Sequence, residues 1–377
     1  MKRMLRTTAL GGALVFMAAS AQAMDMKDGF MVGDTSFKIG GYVDLDIHMT
    51  EFSAGSPSDT GLAPGGSLVR DFYIPGVTAT GNGEGSEYFD MTARTSRLSF
   101  TAKNGGTTGY VELDFLGSGG NERVSSSYDP RLRRAFIKSG NWLMGQEWST
   151  FQNLSAIPES ASFLTASDGQ IFVRQAMVRW TNGPLQIALE NPGESRIGSA
   201  AGQDNAERPD LVVRYNYKAD FGNISASLLN RQISDGGDFD ENAVSFNVAG
   251  RVKAGPGDVR FSYSSGEGMG RYIGLHAAFE AANVGGNMEV LESTGYVLAY
   301  RLPVGNNGSR FNIGTSSLEV DDVDAGLETV SSQYVAYLWS PKPKLTYGVE
   351  YLTGTREDAN GDEGDVDTFT FSAKFAF

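Results

Sequence analysis

The sequence predicts an all-β fold, a transmembrane antiparallel β-barrel of 16 strands with short periplasmic turns, long extracellular loops and a third loop folded into the lumen. Three observations carry the prediction. Apolar residues alternate with polar or small ones in stretches of roughly 9 to 12 residues, the period of a strand with one oily and one wet face. Connections between those stretches alternate short and long. An N-terminal export signal is paired with a last strand that ends in phenylalanine.

The export signal comes first in the chain. Lys2, Arg3 and Arg6 precede an apolar run over residues 9–19, and Ala21-Gln22-Ala23 supplies the small residues of a cleavage site, so residues 1–23 read as a signal peptide. The remainder, 24–377, is expected to form one barrel domain in the outer membrane of a Gram-negative cell. The run is shorter than the ~20 residues of a spanning helix, and no longer one follows. Removing the three basic residues takes the formal charge from −14 to −17, which argues against a nucleic-acid partner. The absence of cysteine excludes disulfides and thiolate sites, and two histidines leave little for a metal, so no cofactor is expected. Forty-eight glycines, 22 Phe and 15 Tyr suit many short strands joined by tight turns.

Alternation is clearest over residues 109–115, 211–217, 244–252, 259–263, 296–302, 345–351 and 368–377. In the last, Phe369, Phe371, Ala373, Phe375 and Phe377 share one face while Thr370, Ser372, Lys374 and Ala376 share the other. Short connections fall at 104–106, 139–141, 182–184, 219–222, 254–257, 303–308 and 340–343, several of them Asn/Gly turns. Long ones fall at 52–91, 117–129, 150–171, 191–208, 233–241, 266–292, 321–328 and 357–365. Eight loops and seven turns join 16 strands and leave both termini periplasmic, as an even-stranded barrel requires. Residues 271–282 could add a strand, but Tyr272, Leu275 and Phe279 follow a helical stripe, which predicts a short helix inside the sixth loop.

With bulky apolar residues outward, their neighbours face the lumen. Asp44, Asp46 and His48 then point inward, as do Arg97, Glu112, Asp114, Arg131 and Arg133. The same parity puts Arg214, Arg231, Arg251, Arg260, Arg301, Glu350 and Lys374 inside. Arg134 shares parity with Leu132 and Phe136 and would face lipid, which favours a subunit interface over that wall. Phe151, Leu154, Ile157, Phe163 and Leu164 make the third loop too apolar for an exposed tip, so it is expected inside the barrel. There it would set Glu159 or Asp168 across from Arg97, Arg131, Arg133 and Arg174, a transverse field that orients dipolar solutes and favours anions. Small inward residues such as Ser225, Ser227, Ser245, Asn247, Ala249 and Ser262 suggest an open channel.

Other motifs count for less. The acidic stretch 357–367 lacks the glycine and closing glutamate of a calcium loop, and the Gly-rich 81–86 has no helix behind it. A barrel enzyme is a rival reading, yet His48 and His276 stand far apart without a nucleophile motif, so no enzyme is expected. A structural or adhesive barrel is the other rival, and it would plug its lumen.

The stretches PRLRRAFIKSGNWLMGQEWSTFQNLSAIPE (130–159) and SDGQIFVRQAMVRWTNGPLQIALENP (167–192) resemble the corresponding region of the DcaP-like porins, and GRYIGLHAAFEAA in the sixth loop is similar too. The likeness runs from about residue 92 to the end of the chain. It implies a homotrimeric, 16-stranded outer-membrane porin, held among membrane lipids and lipopolysaccharide, that passes small anions such as dicarboxylates by passive diffusion through an arginine-rich constriction. It also implies that Arg131, Arg133 and Arg174 face the anion; strand parity adds Arg97 and Arg214, and the third loop adds Glu159 and Asp168, to the candidate set. The namesake's periplasmic coiled coil has no counterpart in residues 24–36, which carry no heptads. Arg174 and Arg179 fall on opposite faces of one strand, so a bulge or a position at the rim is needed for both to reach water.

Overall fold

The computed structural model describes residues 29–57, 72–117, 120–121, 125–198, 202–305, 308–321 and 323–377, so the expected signal peptide lies outside the described residues. One antiparallel sheet closes on itself through 16 staves. They are β1 (Thr35–Phe52), β2 (Ser86–Thr92 with Arg97–Asn104), β3 (Thr107–Asp114), β4 (Arg131–Ser139), β5 (Trp142–Trp148), β6 (Arg174–Asn182), β7 (Leu185–Glu190) and β8 (Asp210–Ala219). Then follow β9 (Gly222–Ser234), β10 (Asp240–Ala254), β11 (Gly257–Glu267), β12 (Glu292–Val304), β13 (Ser309–Val320), β14 (Leu327–Lys342), β15 (Leu345–Asp358) and β16 (Glu363–Ala376). Closure is the β1–β16 ladder, from Tyr42↔Ala376 to Phe52↔Val366. A closed ladder leaves no edge, which is what lets a sheet cross a bilayer.

Local chemistry sets the connections. Gly105, Gly140, Gly183 and Gly255 have φ of +52° to +57° in two-residue turns, where a side chain would strain the backbone. The first long connection is shorter than the sequence suggests, because Ser86–Thr92 already pairs with the upper half of β1. Only Phe89 and Met91 mark that segment as a lipid-facing strand, too few alternations to see beside the glycines that precede it.

Along β1, Val43 and Met49 are 59% and 53% exposed, whereas Asp44, Asp46 and His48 are buried inside. The wet side is therefore internal. A β-bulge between Glu112 and Leu113 corrects one expectation: Glu112 pairs with Arg134 and Leu113 with Leu132, leaving Arg133 as the extra residue. Side-chain parity reverses there, so Arg134 and Phe136 point into the barrel beside Tyr110 and not to lipid. Arg134, paired inside with Glu147, therefore calls for no subunit interface over that wall.

The expected helix over 271–282 does not form. One 3-10 turn, Gly270–Tyr272, is followed by irregular chain and by a small hairpin, Ala281–Val284 with Asn287–Val290. Leu275 and His276 take left-handed φ of +57° and +65°, which ends any helix before Phe279.

The apolar core is internal and belongs to the loops. Phe151 and Ile171 of the third loop meet Met269, Tyr272 and Ile273 of the sixth against Val212, Leu229, Leu318 and Val330 of the wall. Phe72, Ile74 and Val77 of the first loop pack on Leu164. Placing arginine at Leu298, an outward mid-strand residue of β12, is predicted to cost about 2–4 kcal/mol in urea titrations of the lipid-inserted barrel. Unchanged stability would contradict the outward assignment.

Candidate functional site

The third loop, between Trp148 and Arg174, is laid along the inner wall by polar ties to successive staves. The Thr150 N–H donates to Glu190 on β7 at 2.7 Å and the Asn153 amide to Ser225 on β9 at 2.9 Å. Arg260 on β11 donates to the Ile157 carbonyl at 2.7 Å, and the Ala161 N–H donates to Glu350 on β15 at 2.9 Å. The wall makes room by being small. A Cβ at Gly348 would lie 2.6 Å from the Ala161 methyl, and one at Gly295 would lie 2.9 Å from Gly169 Cα. Ser225, Ser227 and Ala249, read from the sequence as lining an open channel, are instead covered, with the loop bonded to them. Small wall residues here accommodate a loop backbone.

Asp168 is not on the open lumen. It is fully buried, accepting from Tyr73 of the first loop at 2.6 Å and from Ser332 on β14, so it ties two loops to the wall and does not face the arginines. Burial pushes its carboxyl up to about 6, with the two hydroxyls opposing. Glu159 sits on the wall remote from β2–β6, between Arg301 at 2.8 Å and Arg310 at 2.6 Å. Burial would raise its carboxyl, but those arginines hold it below the ordinary value.

Staves β2 to β6 carry an arginine strip. Arg131 is bidentate on Asp114 at 2.8 and 3.0 Å, and Arg133, 1% exposed, spans Glu112 at 2.9 Å and Asp114 at 2.7 Å. Arg134 is bidentate on Glu147, both contacts 2.6 Å. Arg97 reaches Glu112 only at 3.6 Å. Arg174 has no carboxylate in ion-pair range among the described residues; its guanidinium lies 4.5 Å over the Trp148 ring, which Arg133 approaches at 5.8 Å. Arg174 and Trp148 are the end pair of the β5–β6 ladder, where the chain turns inward. A position at the strand end thus resolves the parity conflict with Arg179. Five guanidiniums here meet three carboxylates, Glu112, Asp114 and Glu147. The adjoining Lys374 is taken by Asp44 at 3.0 Å. Arg133 is bound too deeply to be a simple selectivity residue, since its removal would leave two buried carboxylates short of a partner.

A second set lies on β10 to β13. Arg251, Arg260, Arg301 and Arg310 share Asp258 and Glu159. Arg310 was not singled out in the sequence, although Phe311 and Ile313 outward place it inside by parity. Arg214 stands between the two sets on β8 and donates to the Gln152 carbonyl of the third loop.

The sixth loop also enters the barrel. Arg231, expected in the channel, is buried beneath it, held by Asp210 at 3.1 Å, Glu280 at 3.3 Å and the Gly268 carbonyl at 2.7 Å. Burial opposes charge on Glu280, but His276 and Arg231 bring its carboxyl down to about 2. Arg196 caps the same loop by donating to the carbonyls of His276 and Ala278. The sequence signal for this, a charged pair inside GRYIGLHAAFEAA, is too local to reveal what it meets.

A closed 16-stranded barrel, oily outside and charged within, with loops folded into its lumen, defines an outer-membrane barrel of the porin class. The chain belongs to the DcaP outer membrane protein family, whose signature it matches over residues 77–377. Among solved structures it is similar to the outer membrane channel DcaP of Acinetobacter baumannii, with a TM-score of 0.77 at 22% identity, covering 93% of this chain and 99% of that one. The anion-selective porin of Comamonas acidovorans gives a TM-score of 0.55 at 13% identity, covering 91% and 100%. A loop-deletion mutant of the Vibrio cholerae outer membrane protein OmpT gives 0.55 at 11%, also covering 91% and 100%. At these identities the likeness is one of fold. No curated protein sequence matches the chain.

Asp168 gives this site a pH dependence. Its carboxyl holds a proton more tightly when the loop is seated, near 6, than in water, near 3.8, so seating is strongest below about pH 4 and weakens as pH rises to 6. Hydrogen exchange over residues 160–171, corrected for intrinsic rates, is predicted to be faster at pH 7 than at pH 4. Asp168→Asn is predicted to abolish the difference. A wild-type loop equally protected at both values would contradict the assignment.

Proposed function

We propose that the barrel is a porin through which small hydrophilic solutes diffuse passively across the outer membrane, with a preference for anions such as dicarboxylates. The observation that carries this reading is the arginine strip, where guanidiniums outnumber carboxylates and Arg97 and Arg174 lack close carboxylate partners. Fixed positive charge in a confined polar passage raises the local concentration of anions. Arg131 has its charge offset by Asp114 but remains 31% exposed at the side chain, so it presents free N–H donors to a passing carboxylate. The second set, four guanidiniums on Asp258 and Glu159, adds positive charge on the far wall as well, so the field favours anions from both sides and not through an acidic pole at Glu159. The working unit in this reading is a homotrimer surrounded by outer-membrane lipid and lipopolysaccharide.

The test is the reversal potential of the purified protein in a planar bilayer under a potassium chloride gradient. Wild type is predicted to favour chloride. Arg97→Ala with Arg174→Ala is predicted to cut the chloride-to-potassium permeability ratio severalfold while the barrel still folds, because neither change strands a tightly bound carboxylate. A wild type that favours potassium would overturn the anion preference.

A further inference from the structure

We propose that Arg179, Arg214 and Gln152 form a second binding site, for carboxylate groups of small solutes, on the periplasmic side of the third loop. This site rests on the anion reading above and extends it, because it adjoins the strip at β5 and β6 but uses Arg179 and Arg214, neither of which is among the five arginines that carry that reading.

Register places the two arginines. Arg179 on β6 stands opposite Ala188 on β7, which stands opposite Val212 on β8; two residues further along, Thr181, Gln186 and Arg214 are aligned across the same staves. Two strand spacings across and two residues along put the backbones about 12 Å apart. Long side chains on one face can converge over that span. Both line a cavity of about 750 Å3 that Gln152, Glu147 and Lys218 also border, within the usual size for small-molecule sites. Pro184, in the β6–β7 turn, lies on its margin, so the cavity faces the end of the barrel that carries the short turns.

The chemistry there is unfinished. Neither arginine has a carboxylate in ion-pair range among the described residues, in contrast to Arg131, Arg133, Arg134, Arg251 and Arg260. Arg214 donates to the Gln152 carbonyl, and Arg179 makes one long contact, 3.4 Å, to the Trp148 carbonyl. A guanidinium has five N–H donors, so most are uncommitted. The Gln152 side chain is buried, yet neither its amide oxygen nor its nitrogen has a partner. Glu147 cannot neutralise the pocket, since Arg134 holds both its oxygens at 2.6 Å. Two forks with free donors suit planar carboxylates.

Single-channel recording tests this with succinate as the probe, added from the short-turn side of the inserted wild-type protein. Succinate is expected to produce transient block, with an association rate severalfold higher from that side than from the other. Arg179→Gln with Arg214→Gln is expected to weaken the block at least tenfold, and Gln152→Leu, which leaves charge untouched, severalfold. Heat-modifiable electrophoretic mobility establishes that each variant is folded. An anion-preferring wild type whose block survives the double change unaltered overturns this site and leaves the anion reading intact. A cation-preferring wild type overturns both. Inorganic phosphate blocking as strongly as succinate overturns the assignment to carboxylates.

Discussion

The structure depends on one constraint: a bilayer gives backbone amides no partner, so the sheet must close, and closure divides every strand into a face for acyl chains and a face for whatever is kept from them. In this chain the second face carries the charges. Asp44, Glu112, Asp114, Arg133 and Glu350 are all buried within the barrel while Val43, Val111, Leu132 and Val349 or Tyr351 alternate with them toward the outside. Charges in that position have to be paired or hydrogen-bonded, and the bulge at Arg133 is the local device that permits it. By reversing parity it brings Arg134 to Glu147 and leaves Arg133 between Glu112 and Asp114.

Closure also creates an interior too wide for strand side chains to fill, and three loops occupy part of it. The first, third and sixth loops meet through Tyr73 and Asp168 and through the Ile171–Ile273 bridge, so each is held partly by another. Glycine, alanine and serine on β9, β10, β12 and β15 leave the space they need. On β2 to β6 the wall carries the arginine strip, and there the third loop makes contact through side chains, the Phe163 ring lying 5.6 Å from the Arg133 guanidinium.

Strand number, the seven turns and the inward course of the third loop were legible because each rests on local pattern: period two, Asn/Gly turns, and apolar residues in a loop that has to bury them. The arginine wall was legible for the same reason. Parity failed at Arg134 because a bulge is a two-strand property, set by how β3 meets β4 and absent from either strand's own pattern. Asp168 and Arg231 were placed on the correct structural elements but assigned to water. What buries them, Tyr73 in one case and the sixth loop in the other, lies far away in sequence. Ser225 and Ser227 misled in the same way, since small inward residues are equally suited to open water and to a covering loop.

The seating of the third loop against the small-residue wall, with a conducting path left beside it, is the claim on which the others rest. The chain has no cysteine of its own, so Asn153→Cys with Ser225→Cys tests it directly, the two side chains meeting at 2.9 Å between the loop and β9. The account predicts near-complete cross-linking on oxidation, with ionic current through the bilayer-inserted protein retained. Failure to cross-link, or a current that vanishes when the bond forms, would contradict it.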